Sequence, residues 1–351
     1  MIKNNKTAIV TGVGMDAKTI THILLSLGYN VIITHRRNTS QDLYSLLSIF
    51  DSDLKNNPNS SLEAVFMEIT DQSSINQCID YVIKKYGKID EFYNLAALTH
   101  VGDSFKNPIY TLKATGMSVL YILEAIKERT PTTKFFQAST SEMFGGDPKN
   151  NPFNENSKME IRSPYAAAKC NAYDWVKYYR QTYNIFACSA FTFNHSNIYR
   201  HPSFYIRKIT ISAAKIALGK QKDIFLGNIN HWRDETYADF CCEAMIKMLQ
   251  LKEPTDLVIG TGVSHSGEEY LDIAFNYFNL NWKDYVKFDK SLERPNEVVK
   301  LEADCRLAQK TINWRPNRMT FKNHISLMCE YDYKLESGLN PIRPDVFKMF
   351  P

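Results

Sequence analysis

No run in this 351-residue chain approaches the length of a membrane span, and its seven cysteines include no Cys-x-x-Cys pair. The first absence argues against a bilayer-crossing chain. The second argues against zinc-ribbon and dithiol chemistry. An odd cysteine count, with Cys241 and Cys242 adjacent, fits reduced and mostly buried thiols and a cytoplasmic setting. The amino-terminal residues Met1–Lys6 lack the apolar stretch of a signal peptide. Charge of one sign is scarce as well. A formal +4 over this length does not argue for nucleic acid and supports only a preference for anionic ligands. No repeat, low-complexity tract or linker composition divides the chain, and no metal site is expected. What remains is a composition of 44% hydrophobic and 23% charged residues, that of a globular protein with a large core.

The amino-terminal segment has the pattern of a dinucleotide-binding unit. Thr7–Gly12 is a short apolar run ending in glycine, Ile20–Leu27 has helical periodicity, and Val31–Thr34 is a second strand ending at His35-Arg36-Arg37. Such a βαβ unit of about 30 residues is the context a glycine-rich turn requires. The turn reads Gly12-Val-Gly14-Met15-Asp16-Ala17. Gly12 permits the bend, Gly14 admits a pyrophosphate to the backbone, and Ala17 keeps helix and strand close. Arg36 and Arg37 stand where an acid would hold a ribose hydroxyl; they offer charge to a 2′-phosphate and favour NADP over NAD. A solvated basic pair is the plainer alternative.

Strands then alternate with helices: Ala64–Met67 ending at Glu68-Ile69, a helix over Ile75–Tyr86, Glu91–Ala97, a helix over Val119–Lys127, and Lys134–Ala138. This predicts a doubly wound parallel sheet with ligands outside the carboxyl ends of the strands. The last of these strands leads into Gln137-Ala-Ser-Thr140-Ser141-Glu142, which delivers a hydroxyl and a carboxylate. Ser163-Pro-Tyr165-Ala-Ala-Ala-Lys169 follows, with a phenol and an ammonium at i and i+4 on one helix face. An ammonium beside a phenol favours phenolate and makes Tyr165 a candidate base. Beyond Ile185–Phe191 the pattern is less regular: helices over Arg207–Leu218, Tyr237–Leu251 and Asp304–Thr311, and strands at Ile224–Gly227 and Leu257–Gly260. The predicted fold class is α/β: a Rossmann sheet over residues 1–190 and a smaller interwoven substrate-binding lobe over 191–351, with about 234–262 returning to the first.

Over nearly its whole length the chain resembles the GDP-mannose 4,6-dehydratase family of extended short-chain dehydrogenases/reductases. The resemblance rests on Asn94–Ala97, Gln137–Glu142, Arg162–Lys169, Phe193-Asn194-His195, Arg207–Thr210, Leu226–Asn228, Arg233-Asp234 and Arg294-Pro-x-Glu297-Val298. It implies Thr140, Glu142, Tyr165 and Lys169 as the catalytic set. Tyr165 would take the proton of the sugar 4-hydroxyl, Thr140 bond O4, Lys169 hold the nicotinamide ribose, and Glu142 move the C5 proton to the departing 6-hydroxyl. For NADP it implies contacts from Gly12, Gly14, Met15, Asp16, Arg36, Arg37, Glu68 and Ile69. Further cofactor contacts fall on Leu95, Ala96, Ala97, Thr99, Tyr110, Lys169, His195 and Arg200. For the nucleotide sugar it implies Ser141, Asn194, Lys208, Arg233, Arg294 and Glu297. A homodimer is expected, with a homotetramer the alternative.

The chain departs from the family pattern at several points. The family's Thr-Gly-x-Thr-Gly-Gln-Asp-Gly turn is one residue shorter here, the serine-rich loop after Arg37 is not recognisable, and Leu98-Thr99 replaces Gln-Ser. Asn-His-Glu becomes Asn194-His195-Ser196, and Arg-Asp-Trp-Gly becomes Arg233-Asp234-Glu235-Thr236. These substitutions keep three alternatives open: a heptose in place of mannose, a nucleotide-sugar reductase or epimerase, and a cofactor-binding relic without activity.

Overall fold

A computed structural model describes residues 5–36, 40–293 and 296–351. In chain order the first elements are β1 (Thr7–Thr11), α1 (Met15–Ser26), β2 (Asn30–His35), α2 (Ser40–Ser48), α3 (Asp51–Asn56), β3 (Ser61–Phe66) and α4 (Gln72–Tyr86). Next come β4 (Glu91–Asn94), α5 (Val101–Lys106), α6 (Pro108–Thr111), α7 (Ser118–Arg129), β5 (Lys134–Thr140), α8 (Pro164–Tyr183) and β6 (Ala187–Thr192). Then follow β7 (Asn194–Ser196), α9 (Tyr205–Ala217), β8 (Ile224–Leu226), β9 (Trp232–Tyr237), α10 (Ala238–Leu249), β10 (Leu257–Ile259) and β11 (Ser264–Ser266). The last are α11 (Gly267–Asn276), β12 (Val286–Phe288), β13 (Lys300–Leu301), α12 (Arg306–Ile312), α13 (Phe321–Glu336) and α14 (Val346–Met349).

The chain divides into two compact units. The first comprises 1–143, 163–191 and 242–257, and the second 144–162, 192–241 and 258–351. Residues 144–162, expected within the first domain, thus belong to the second unit, and the returning segment is shorter than anticipated. The main sheet has the order β10-β6-β5-β4-β1-β2-β3. Thr7 pairs with Asn30, Ala8 with Glu91, and Glu91 with Lys134, all in parallel. The strand order reverses between β1 and β4, which opens a crevice at their carboxyl ends. Ile9, Ile32, Phe92, Ile122, Phe135 and Val176 share one core, so the apolar strands are covered by helices. In the second unit β11, β9 and β13 form a sheet with β7 on β9, β12 pairs β8, and Ile209, Leu271, Phe275 and Met328 form a separate core.

Several elements differ from expectation. Helix α1 starts at Met15, ahead of the apolar period, and its first turn already buries Met15 and Ala17. The polar segment 40–56 holds two short helices. The run Pro108–Arg129 is long and apolar enough, with a mean hydropathy of 1.2, to cross a membrane by length and composition. This revises the statement that no run approaches such a length. It is a core helix: 56% of the window is buried, and Val119, Ile122 and Ile126 pack with Phe92 and Phe135. Between α6 and α7 it contains a π-turn, Leu112–Met117.

Candidate active site

The phenol and lysine owe their place to a well-started helix. Ser163 accepts the Ala166 N–H at 3.1 Å and Pro164 occupies the first turn, so α8 is capped just ahead of Tyr165. Tyr165 and Lys169 then lie one turn apart, both buried, with Lys169 Nζ 5.7 Å from the Tyr165 ring centroid. Lys169 Nζ donates to the Ala138 carbonyl at 2.5 Å. Complete burial lowers its pKa to about 8, an effect the Asp16 carboxylate opposes. At neutral pH it is still mostly an ammonium. Strand β5 ends at Thr140, and a 3₁₀ turn over Ser141–Phe144 follows at once. The Thr140 hydroxyl accepts the Glu142 N–H at 3.3 Å. Thr140, Ser141, Glu142, Tyr165 and Lys169 thus all belong to the first unit.

The glycine turn joins β1 to α1. Gly12 has φ +84°, and a Cβ there would lie 3.5 Å from Ala96 Cβ; Gly14 has open space where its Cβ would be. Gly14 also begins α1 without a side-chain cap, so the first turn, Met15 and Asp16 included, presents backbone N–H groups to an anion. Leu95 and Ala96 both donate their N–H to Thr11 Oγ1 at 2.9 Å, which draws the Leu95–Ala97 segment out of β4 toward that turn. Leu98 donates to Thr115 of the π-turn at 3.2 Å, immediately before Thr99. At the far edge the Arg36 guanidinium donates to the Tyr110 hydroxyl and stands 3.9 Å from Glu68, beside buried Ile69. Arg37 lies outside the described residues.

Sequence reasoning did not single out the polar chain behind these groups. Thr11 Oγ1 donates to Asn94 Oδ1 at 3.1 Å, Asn94 donates to Gln137 at 2.8 Å, and Gln137 donates to the Ala138 carbonyl at 2.9 Å. Thr11 and Asn94 close β1 and β4, and Gln137 lies within β5.

The second unit carries the remaining residues. Arg233 forms an ion pair with Glu297 at 3.0 Å on β9, and burial lowers the pKa of Lys208. His195 bonds the Phe193 carbonyl at 2.8 Å, beside Asn194 on β7. Arg200 stacks over the Phe204 ring at 3.7 Å. Arg294 lies outside the described residues.

A parallel sheet with a glycine turn at its reversal point and a buried phenol–lysine pair on a helix defines a dehydrogenase/reductase-type enzyme. The model of the family described as GDP-mannose 4,6 dehydratase matches residues 9–328. GDP-mannose 4,6 dehydratase 2 of Arabidopsis thaliana is 37% identical over 340 residues, covering 95% of this chain and 89% of that protein. The Homo sapiens GDP-mannose 4,6 dehydratase is 34% identical over 359 residues, covering 95% and 93%. Among solved structures, dTDP-glucose 4,6-dehydratase from Bacillus anthracis, in complex with NAD, aligns with a TM-score of 0.78 at 20% identity, covering 96% of this chain and 100% of that one. RMD from Pseudomonas aeruginosa, complexed with NADPH, aligns with a TM-score of 0.75 at 18% identity, covering 95% and 100%. The chain belongs to the GDP-mannose 4,6-dehydratase family.

Proposed function

We infer that the chain converts GDP-mannose to its 4-keto-6-deoxy product with loss of water, and that Tyr165, Thr140 and Glu142 carry the proton transfers. Family membership supports the reaction. The observation that supports the roles is the bond from Lys169 of α8 to the Ala138 carbonyl of β5, which ties the helix that carries Tyr165 to the strand end that carries Thr140 and leads to Glu142. The glycine cradle, the uncapped α1 start and the Arg36–Tyr110 pair fit a dinucleotide of the NAD(P) type, with Arg36 favouring NADP. A dinucleotide held there would supply reversible hydride chemistry, oxidation at C4 and reduction at C6 with no net redox change.

Tyr165 takes the proton of the 4-hydroxyl, and the Lys169 ammonium stabilises the phenolate this requires. Thr140 donates a hydrogen bond to O4 as the ketone forms. The ketone acidifies the C5 hydrogen; Glu142 removes that proton and gives it to the 6-hydroxyl, which leaves as water, and reduction at C6 is completed by a solvent-exchangeable proton delivered to C5, which balances the one lost from the 4-hydroxyl. A reductase or epimerase needs the Tyr165–Lys169 pair but has no use for this carboxylate.

The test is Glu142→Gln, assayed on GDP-mannose by mass spectrometry for loss of one water. The variant should lose at least about 100-fold in product formation, the usual worth of a general acid–base group, while Tyr165 still supports oxidation at C4. Undiminished water loss in the variant would remove Glu142 from the mechanism.

A further inference from the structure

The second unit buries a carboxyl that the chemistry above does not use. Glu235 sits on β9 directly opposite Asn194 of β7 in the parallel register, with His195 opposite Thr236 and Ser196 opposite Tyr237. It is 5% exposed. One oxygen, Oε2, accepts the Tyr270 hydroxyl of α11 at 3.1 Å, and Ser196 of β7 also bonds the carboxyl through its side chain. The other, Oε1, is buried with no partner among the described residues. Its neighbour Asp234 is the contrast: Thr261 N–H and hydroxyl, Gly262 N–H and Ala303 N–H all donate to that carboxylate. An ionised carboxylate with one oxygen desolvated and unpaired is costly, so the arrangement at Glu235 suits a group that changes charge.

We propose that Glu235 is a positioning residue: its carboxyl ties β7 to α11, and on ionisation it sets a negative charge facing His195 and Arg200. The inference rests on the reading that His195 and Arg200 touch the dinucleotide. Burial raises the pKa of Glu235 to about 7, against the bonds from Ser196 and Tyr270 and the charges of Arg200 and His195. Farther out, Arg233 and Tyr205 act on Tyr270, and His324 of α13 faces the Ser196 backbone. A negative charge beside the Arg200 guanidinium weakens its hold on a phosphate. By linkage, binding of the anion then draws a proton onto Glu235.

The experiment is fluorescence titration of the full chain with NADPH between pH 6 and pH 8. The wild type should lose affinity on the order of tenfold over that interval, the order of effect of one added charge in a protein-like dielectric. Glu235→Gln, which keeps the shape and loses the charge, should flatten most of that loss. Ser196→Ala and Tyr270→Phe each remove a donor to the carboxylate and should move the midpoint to higher pH, which carries the test even if the glutamine variant folds poorly. Parallel profiles in wild type and Glu235→Gln, or midpoints unmoved in the other two, would overturn the proposal alone. No NADPH binding at any pH would overturn the cofactor reading and the proposal together.

Discussion

Replacing Lys169 by methionine should abolish activity and make the ligand-free protein more stable at neutral pH. The side chain is 3% exposed, and burial lowers its pKa from 10.5 to about 8. Above pH 10.5 the amine is neutral both folded and unfolded, and the burial carries no electrostatic penalty. As the pH falls toward 8 the unfolded chain binds a proton that the folded chain resists, and the penalty is complete below about 8. At about 1.4 kcal/mol for each factor of ten in proton affinity it reaches about 3 kcal/mol. Methionine matches the volume but withdraws a donor from the Ala138 carbonyl, which keeps its bond from Gln137, at a cost of about 1 kcal/mol. The net gain at pH 7 is about 2 kcal/mol. Urea denaturation of both proteins at pH 7 and pH 10 checks it: the advantage of Lys169→Met should shrink at pH 10 as the wild type recovers. A variant less stable than wild type at pH 7, with the same gap at pH 10, would refute the reasoning, since the buried ammonium would then be under no strain.

Two further substitutions probe the surroundings of this pair. Gly116→Ala in the π-turn places a methyl group 3.1 Å from the Ala168 carbonyl and 2.8 Å from Asn171 Oδ1, both on α8. A shift of α8 by a few tenths of an ångström should lower kcat by about tenfold and stability by about 1–3 kcal/mol, and an unchanged kcat would show that α8 does not depend on this contact. Arg36→Met should weaken NADP binding by about tenfold while leaving NAD binding nearly unchanged, as measured by titration with each; an equal fall for both would mean that Arg36 does not meet the 2′-phosphate.

What the sequence disclosed depended on whether a segment's role was local. The apolar runs of β1, β2 and β5 and the capped start of α8 are visible because propensity, capping and periodicity agree there. Strand β9 is the opposite case. Trp232–Tyr237 carries Arg233, Asp234 and Glu235 in succession, a pattern of solvated loop, yet all three are buried. Their partners lie far along the chain: Glu297 for Arg233, Thr261 and Ala303 for Asp234, and Tyr270 for Glu235. No local signal announces such tertiary satisfaction. The π-turn is hidden for a related reason, since the close approach of Gly116 to Ala168 and Asn171 of α8 is a tertiary contact.

The polar chain from Thr11 to Ala138 bears on the shortened glycine turn. Thr11 Oγ1 accepts two backbone N–H groups, so its proton has one remaining direction, toward Asn94 Oδ1. That bond fixes the orientation of the Asn94 amide, whose NH₂ must donate to Gln137 Oε1, and so fixes Gln137 with its NH₂ on the Ala138 carbonyl. The same carbonyl receives Lys169, so the ammonium is aimed by a sequence of bonds with only one consistent polarity. The chain begins at Thr11, one residue before the glycines. A deletion within the turn therefore alters the surface offered to a pyrophosphate without disturbing the groups that orient Lys169. On the mechanism proposed above, a change at this turn then alters cofactor affinity and leaves the setting of the Tyr165–Lys169 pair intact.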